Sequence, residues 1–331
     1  MNEALLKVSH LCVEFKTDQG ALNVLDNVSF ELQPGKTLGL VGESGCGKSV
    51  TSLTIMKLLP QPAGCISSGS VKFKNTELTS LASKQMQIIR GNRIAMIFQE
   101  PMTALNPVKT IGKQIMEVYE LHRPELSKKQ RLNEVVDVLQ KVGIPDAHKR
   151  VMEFPHQLSG GMRQRVMIAM ALACKPDILI ADEPTTALDV TIQAQILDLM
   201  QSLQKEYGMA ILFITHDLGV IAQLCDDVVV MYAGRVVEKS TVKALFQHPK
   251  HPYSQGLLNA IPKLNQPRKS QLSTIEGQVP TLQNMPEGCR FYNRCPHKQD
   301  NCKTLGHEFV HQENDLYVNC LHWKEIKYEP A

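Results

Sequence analysis

A glycine-rich segment near the start of the chain constrains its fold more than any other feature. It fits the pattern G-x-x-x-x-G-K-[ST] and consists of Gly42, Glu43, Ser44, Gly45, Cys46, Gly47, Lys48 and Ser49, followed by Val50. In this motif backbone N–H groups surround phosphate oxygens, the lysine reaches the β- and γ-phosphates of a nucleotide, and the serine hydroxyl binds Mg²⁺. The apolar run Leu38–Val41 predicts a buried strand before it, and the apolar spacing across Ser49–Leu59 predicts a helix after it. Strand, loop and helix therefore follow in the order that a phosphate-binding loop requires.

The composition is that of an ordinary globular protein. The chain has 331 residues, of which 43% are hydrophobic and 21% charged, and its formal charge is +3. The longest apolar run, Val166–Cys174, is about half of the roughly 20 residues that span a bilayer, so it predicts a buried helix. The N-terminus lacks a basic stretch followed by a long apolar core. We therefore expect no secretory signal, and a cytosolic protein that reaches a membrane only through a partner.

Apolar runs and helical patterns alternate, which predicts an α/β fold with a largely parallel sheet. The predicted strands are Leu11–Phe15, Val28–Leu32, Leu38–Val41, Ile94–Phe98, Ile178–Ala181, Ala210–Thr215, Asp227–Tyr232 and Arg235–Glu238. From about residue 100 to 165 the sequence is helical and more polar, and one predicted helix has an apolar face made of Leu132, Val135, Val136, Leu139 and Val142. We interpret 100–165 as an inserted helical subdomain. Proline becomes frequent after residue 250, so we expect one domain over 1–250 and a Pro- and Cys-rich extension over 251–331.

Polar residues follow two further predicted strands. Asp182 and Glu183 end the run Ile178–Ala181, where a carboxylate is able to hold Mg²⁺ and a second is able to orient or activate water. The alternative is an acidic helix N-terminus. His216 follows Ala210–Thr215 and Gln99 follows Ile94–Phe98. A histidine or glutamine after a strand is more often structural, so these positions gain meaning only together with the phosphate-binding loop.

A second loop, Leu158–Met162, precedes a helix-like run and contains Ser159, Gly160 and Gly161. Ser159 stands where a helix N-cap is expected, and the two glycines leave the N–H groups of the helix start open to an anion. The alternative is a simple capped helix.

Taken in order, these elements resemble those of ABC transporter ATPases over roughly residues 5–240. They are the phosphate-binding loop (Walker A), Gln99 (Q-loop), the signature loop 158–162, the Walker B strand 178–183, the D-loop Ala187-Leu188-Asp189 and the switch histidine His216. The resemblance implies a P-loop NTPase with an ABC-type RecA-like core, an antiparallel β part and an inserted helical subdomain. It also implies that two such subunits hold ATP between them.

The resemblance assigns roles to these residues. Glu183, His216 and Gln99 are the expected catalytic group, and Ser49, Gln99 and Asp182 the expected Mg²⁺ group. Residues 42–50 and Asp182 hold the subunit's own ATP, while Ser159, Gly160, Gly161 and Asp189 face the ATP of the other subunit. Phe15 is the candidate for stacking on adenine; a phenylalanine at a strand end is more often part of a core. Because Glu183 and His216 are both present, we expect an active ATPase.

The kind of ABC protein follows from further stretches. Lys48 and Asp182 are too close in sequence for the long coiled coil of DNA-repair ATPases, and the chain holds one ABC unit, whereas translation-type members usually hold two. Gln99–Pro107, His251-Pro252-Tyr253, and Gly288–Phe291 leading to Arg294-Cys295-Pro296 resemble the ATPase subunits of bacterial dipeptide/oligopeptide importers. Nickel, glutathione and sugar importers share much of this pattern. A soluble, non-transport ABC ATPase with a redox-sensing tail is the alternative from another class.

Four of the nine cysteines lie in the extension: Cys289, Cys295, Cys302 and Cys320. Four cysteines are able to complete a zinc site or ligate an iron–sulfur cluster, although the absence of a C-x₂-C pair argues against a zinc ribbon. The importer resemblance implies a [4Fe–4S] cluster. Free thiols remain open, and so does zinc with help from His297, His307, His311 or His322.

The expected partners follow from the same resemblance. They are transmembrane permease subunits at the cytoplasmic face of the inner membrane, a second related ATPase subunit in a heterodimer and, indirectly, an extracytoplasmic peptide-binding protein. A homodimer fits the sequence equally well. We expect no nucleic acid partner. The expected small molecules are ATP and Mg²⁺.

Overall fold

The computed structural model describes residues 3–18, 20–99, 104–186, 188–262, 274–304, 311–313 and 316–328. Its strands are β1 Leu6–Thr17, β2 Gly20–Leu32, β3 Thr37–Val41, β4 Gly64–Phe73, β5 Thr76–Glu77, β6 Ile94–Ile97, β7 Ile178–Asp182, β8 Ala210–Thr215, β9 Asp227–Tyr232, β10 Arg235–Thr241, β11 His311–Glu313 and β12 Leu316–Val318. Its helices are α1 Lys48–Ile55, α2 Ser83–Ile89, α3 Ile111–His122, α4 Lys128–Lys141, α5 Ala147–Arg150, α6 Gly160–Leu172, α7 Val190–Tyr207, α8 Leu218–Leu224, α9 Val242–Gln247 and α10 Pro252–Asn259.

The strands form a mixed sheet and an antiparallel sheet. In the mixed sheet the order is β11-β12-β10-β9-β3-β8-β7-β6. The five consecutive strands from β9 to β6 are parallel to one another. The antiparallel sheet has the order β2-β1-β4-β5. This arrangement confirms the predicted α/β fold with an antiparallel part.

The mixed sheet is covered on both faces, which explains why its parallel strands read as unbroken apolar runs. Along β7, Leu179 and Ala181 join the core that contains the helical segment, whereas Ile178 and Ile180 face the antiparallel sheet. The same alternation separates Phe213 of β8 from its neighbours. The sheet is therefore the rigid middle layer on which the loops at its carboxyl edge are mounted.

The segment predicted to be helical contains α3, α4 and α5, and α6 begins at its end. Ser127 caps α4 together with Gln130, and both contribute to a reciprocal capping box. Val135, Val136, Leu139 and Val142 are buried as expected, but Leu132 is 43% exposed. The prediction for Leu132 is wrong because α4 is buried in the core only from Val135 onward, so a residue on the same face one turn earlier remains exposed.

The helix predicted over Ser49–Leu59 is shorter in the structure. It begins at Lys48 and ends at Ile55, and the backbone then turns through Lys57, which has a φ of 49°. Leu59 is still buried, although it lies beyond the helix. Apolar spacing alone therefore overestimated the helix length, since a buried loop residue continued the pattern.

The chain beyond residue 250 packs against the ATPase core. α10 places Tyr253 in the main core, where Phe291 also lies, and β12 pairs with β10 in an antiparallel register that aligns Val318 with Glu238. The domain boundary at residue 250 stays a prediction. Among the described residues, no helix combines the length and apolar character needed to cross a membrane.

Candidate functional site

Four parallel strands bring their carboxyl ends to one edge of the mixed sheet. The loop 42–49 follows β3, His216 follows β8, Asp182 ends β7 and is followed by Glu183, and Gln99 lies just beyond β6. Ligands of open α/β sheets bind at this edge. The topology therefore explains why residues far apart in sequence meet at a single site.

The glycine-rich loop wraps around its own lysine. Lys48 is buried, and its Nζ donates to the backbone oxygens of Gly42 at 2.7 Å and Glu43 at 3.2 Å. A Cβ atom at Gly42 would collide with the backbone oxygen of Met231. Gly47, at a φ of 102°, caps α1 in the left-handed region that favours glycine. Gly42 thus allows the loop to approach the backbone of Met231, and Gly47 allows the helix to begin in a left-handed conformation. Both glycines belong to the motif.

Asp182 and Ser49 lie together below the loop. The Ser49 hydroxyl donates to Asp182 Oδ1 at 3.2 Å, and the Ser52 hydroxyl donates to Oδ2 at 3.4 Å. Burial raises the pKa of Asp182, while these hydroxyl hydrogen bonds oppose the change. A carboxylate and a hydroxyl in this arrangement are hard oxygen ligands of the type that Mg²⁺ prefers. The sequence analysis did not identify Ser52, whose spacing of one helical turn from Ser49 was the available signal.

Glu183 is at the centre of a second hydrogen-bonded group. Its carboxylate accepts from Gln99 Nε2 at 3.0 Å and from the Thr186 hydroxyl at 3.0 Å, and it lies 3.2 Å from His216 Nδ1. Burial acts to raise the pKa of Glu183, but the hydrogen bonds from His216, Thr186 and Gln99 lower it overall. Glu183 is therefore held as a carboxylate, which is able to orient or accept a proton from water. Thr186 was missed because a threonine after an acidic pair carries no distinctive pattern.

The second loop forms a helix start that is open to solvent. Ser159 is exposed and caps α6 by accepting from Met162 N at 3.3 Å. A Cβ at Gly160 would meet nothing within 4 Å, whereas one at Gly161 would press against Ile192. Asp189 is also exposed and caps α7 by accepting from Ile192 N at 2.9 Å. Ser159 and Asp189 are thus available to a second subunit, and Ala187 of the predicted D-loop lies outside the described residues.

Comparisons with known proteins identify the family. The family model for ABC transporters matches residues 25–186, and that for the oligopeptide/dipeptide transporter C-terminal region matches residues 237–302. A peptide import ATP-binding protein of Brucella ovis is 48% identical over 334 residues, covering 98% of each chain. The oligopeptide transport ATP-binding protein AppD of Bacillus subtilis is 49% identical, covering 97% of each chain. The chain belongs to the ABC transporter ATP-binding family.

Solved structures agree with this assignment. The dimeric ATP-binding cassette MJ0796 bound to ADP and Pi superposes with a TM-score of 0.64 at 27% identity, covering 72% of this chain and 98% of that one. CbiO1 from Clostridium perfringens superposes with a TM-score of 0.63 at 28% identity, covering 74% of this chain and 91% of that one. The predicted P-loop NTPase fold of the ABC type is confirmed, and the chain is an ABC ATPase.

Two predicted features of this ABC ATPase stay predictions. Phe15 is half-buried, and its ring lies close to Gly64, where an added Cβ would be 3.2 Å away. The stacking of Phe15 on adenine stays a prediction. In the stretch Gln99–Pro107, residues 100–103 lie outside the described residues. Leu105 is buried, and Asn106 forms a turn in which its side chain accepts from Val108 N at 3.0 Å.

The four cysteines of the extension line one cavity of about 50 Å³, together with Arg235 and Arg290. Burial raises the pKa of Cys289, and it raises that of Cys295 to about 11 and that of Cys320 to about 12. His297 and His322 also line this cavity. Nevertheless, within the described ranges no three His, Cys, Asp or Glu side chains are grouped so as to hold a metal ion. The side chains of His307 and His311 lie outside the described residues.

Proposed function

We propose that this ABC ATPase drives the import of peptides through a membrane permease, from the cytoplasmic face of the inner membrane. The observation that carries the proposal is the match of residues 237–302 to the oligopeptide/dipeptide transporter C-terminal region. Relatives named for oligopeptide and dipeptide transport align over nearly the whole chain. Nickel, glutathione and sugar remain the alternative cargoes.

The site geometry supports ATP hydrolysis by positioning and charge. Lys48 and the loop N–H groups would hold the phosphates, Ser49, Asp182 and Gln99 the Mg²⁺, and Glu183 the attacking water. Phosphoryl transfer needs this placement of charges more than covalent chemistry. The exposed caps Ser159 and Asp189, with Gly160 and Gly161, would complete the ATP site of a second subunit. We propose a heterodimer with a related ATPase.

The permease would contact the surface around Gln99–Pro107. The residues that flank this stretch in sequence, Phe98 and Val108, are both exposed. Phe98 directly precedes Gln99 in the chain, and an exposed apolar side chain at this position is suited to receive a helix of a membrane subunit. Such a contact would couple permease movement to the catalytic group, because Gln99 belongs to both.

The test is to reconstitute this chain with a permease, a second ATPase and a binding protein, taken from the proteins that the genes beside its own gene encode. In vesicles, we expect ATP hydrolysis to rise when the binding protein and an oligopeptide are added together, and labelled peptide to accumulate. Stimulation by nickel, glutathione or a sugar in place of peptides would assign another cargo. Co-purification with RNA or DNA as a soluble complex, without a permease, would instead support a non-transport ATPase.

We also propose that the cysteine-rich extension holds an iron–sulfur cluster of the [4Fe–4S] type. Four thiols lining one cavity are the donor set of such a cluster. The cavity, of about 50 Å³, exceeds the roughly 10–15 Å³ that one water needs, so it has room for more than a single water. Two guanidinium groups at the wall, Arg235 and Arg290, favour an anionic occupant. The cluster would be structural, tying together segments from Cys289 to Cys320.

Anaerobic purification tests this second proposal. We expect iron and acid-labile sulfide in equal amounts, with the visible absorbance of an iron–sulfur cluster, and we expect Cys289→Ser to remove both. Cys225→Ser is the matched control, since Cys225 lies outside the extension. Colourless protein without iron would refute the cluster, and stoichiometric zinc would assign the site to that ion.

A further inference from the structure

Glu43, in the phosphate-binding loop, is held from two sides by the C-terminal region. Its backbone N–H donates to the Tyr253 hydroxyl at 2.9 Å, across 210 residues of sequence. Its carboxylate accepts from both terminal nitrogens of Arg294, at 2.6 Å and 3.0 Å, across 251 residues. The backbone and the side chain of one loop residue are thus fixed by residues from two separate segments of the extension.

Arg294 is itself firmly placed. Its side chain is 4% exposed, and it donates to the backbone oxygens of Glu276 at 3.0 Å and Ile275 at 3.2 Å. Its guanidinium carbon lies 5.7 Å from the centre of the Tyr232 ring. The hydrogen bonds to Glu43 raise the pKa of Arg294 despite its burial. A planar guanidinium anchored at several nitrogens presents a fixed fork to a carboxylate, so the pair has one preferred geometry.

Tyr253 is placed with equal precision. It is fully buried, and its ring packs 4.7 Å from that of Tyr232 and 5.4 Å from that of Phe291. It lies in the first turn of α10, where its own N–H donates to His251 Nδ1 at 3.0 Å. The hydroxyl that meets Glu43 therefore has little freedom to move.

These contacts affect the ATP site because the backbone oxygen of Glu43 accepts a hydrogen bond from Lys48. Lys48 Nζ donates to the backbone oxygens of Gly42 and Glu43. A shift of Glu43 would therefore displace both the phosphate-binding loop and the ammonium group of Lys48. Small errors in such positioning are costly for binding, since several N–H donors must reach the same anion.

We propose that Arg294 and Tyr253 are positioning residues of the ATPase, which hold the phosphate-binding loop in its nucleotide-binding shape through Glu43. Neither residue touches the reacting atoms. Their effect is on the loop before ATP arrives, so it is equal for ATP and for the transition state. The histidine–proline–tyrosine stretch and the Arg-Cys-Pro stretch thereby acquire a role in the catalytic cycle.

Steady-state kinetics of the assembled transporter test the proposal. We expect Arg294→Ala to raise the KM for ATP and the Kd for a non-hydrolysable analogue by about tenfold, a coupling typical of buried contacting pairs. We expect kcat to change by less than about twofold, the pattern of lost uniform binding. Tyr253→Phe keeps the ring and removes the hydroxyl, so a smaller rise in KM is expected. Asn293→Ala is the matched control, an exposed neighbour on the same turn.

A double-mutant cycle separates positioning from a general loss of stability. Arg294→Ala and Glu43→Gln act through the same ion pair, so the double variant should raise KM little more than Arg294→Ala alone. Arg294→Lys keeps one charged contact and should restore part of the affinity. An unchanged KM in Arg294→Ala would overturn the proposal. So would additive effects in the cycle, or a loss of kcat that follows the unfolded fraction with KM unchanged.

Discussion

Glu183 has a backbone conformation that is uncommon for a residue other than glycine. Its φ is 47°, in the left-handed region, and its N–H donates to the Ile214 oxygen of the neighbouring strand at 2.9 Å. Such strain persists only where surrounding contacts determine it. Here the contacts are Gln99, Thr186 and His216, which come from three different loops. The strained backbone aims one carboxylate at the point where those loops meet.

The first prediction concerns this carboxylate. We expect Glu183→Gln to reduce kcat by roughly 100-fold or more, because an amide keeps the shape of the side chain but cannot accept a proton. ATP affinity should change little, so the subunits should remain together with ATP bound. Single-turnover hydrolysis and equilibrium ATP binding measure the two effects. Unchanged hydrolysis in this variant would refute the role assigned to Glu183.

The second prediction compares two glycines of the same loop. Gly42 has a φ of 153° and faces the Met231 backbone oxygen, whereas Gly45 has a φ of 79° and open space around it. We expect Gly42→Ala to destabilise the protein by roughly 2–3 kcal/mol through the clash. Gly45→Ala should cost about 1 kcal/mol, for backbone strain alone. Thermal unfolding checks the order, and a larger loss for Gly45→Ala would contradict it.

At the scale of elements, the sequence predicted best where pattern and packing coincide. β8 and β9 have the predicted bounds, because a strand covered on both faces is a continuous apolar run that ends where the cover ends. Asp182, Glu183, Gln99 and His216 could be found since each follows such a run. Nothing in the pattern indicated that β12 pairs with β10, because a three-residue strand has too little periodicity.

The contacts between Glu43 and the extension were equally out of reach. Arg294 lies in a turn between two prolines and two cysteines, and its partner is 251 positions away. Pairings over such distances depend on tertiary packing, whereas sequence patterns report local structure. Leu132 fails for a related reason: periodicity shows which residues share a helix face, but not where the neighbouring core stops.

The third prediction belongs to α10. Burial lowers the pKa of its N-cap His251 to about 3, against a smaller opposing effect of a hydrogen bond with the Asn319 backbone. Below pH 6.5 the His251 side chain is therefore protonated in the unfolded chain, whereas in the folded chain it stays neutral down to about pH 3. The free energy of unfolding consequently decreases as the pH is lowered. Between pH 7 and pH 5 this loss amounts to about 2 kcal/mol.

The measurement is urea unfolding at several pH values, compared with His251→Asn, which keeps a side chain able to cap the helix. Burial raises the pKa of the neighbouring Glu238, which acts in the opposite direction, so the difference between the two proteins isolates His251. The variant should be less stable at pH 7, and the gap should narrow by about 2 kcal/mol at pH 5. A gap independent of pH would contradict the prediction.

At the scale of the whole molecule, the extension is integrated with the ATPase core. Phe291 is buried against Tyr232 and Tyr253, and β12 continues the mixed sheet. Arg290 and Arg235 both bind Asp26 Oδ2 at 2.7 Å, which connects the cysteine cavity to the antiparallel sheet. The cysteine cavity and the ATP site are therefore connected through the same group of packed side chains.

The fourth prediction tests this integration. We expect Phe291→Ala to destabilise the ATPase core by about 3–5 kcal/mol and to shift a single unfolding transition, because the cavity opens inside the shared aromatic cluster. Leu132→Ala, at an exposed position, should cost less than about 1 kcal/mol. Scanning calorimetry measures both. Two separate transitions, of which only one moves, would indicate that the extension is an independent unit.

The pairing of β12 with β10 also sets a time order on synthesis. β10 ends at Thr241, but the strand that covers its edge ends at Val318. At ribosomal speeds of about 5–20 residues per second, that edge waits roughly 4–15 s for its partner. During this interval its unpaired N–H and C=O groups are a template for strands of other chains. Slowed translation of the codons between Thr241 and Val318 would lengthen that exposure and favour aggregation of the nascent protein.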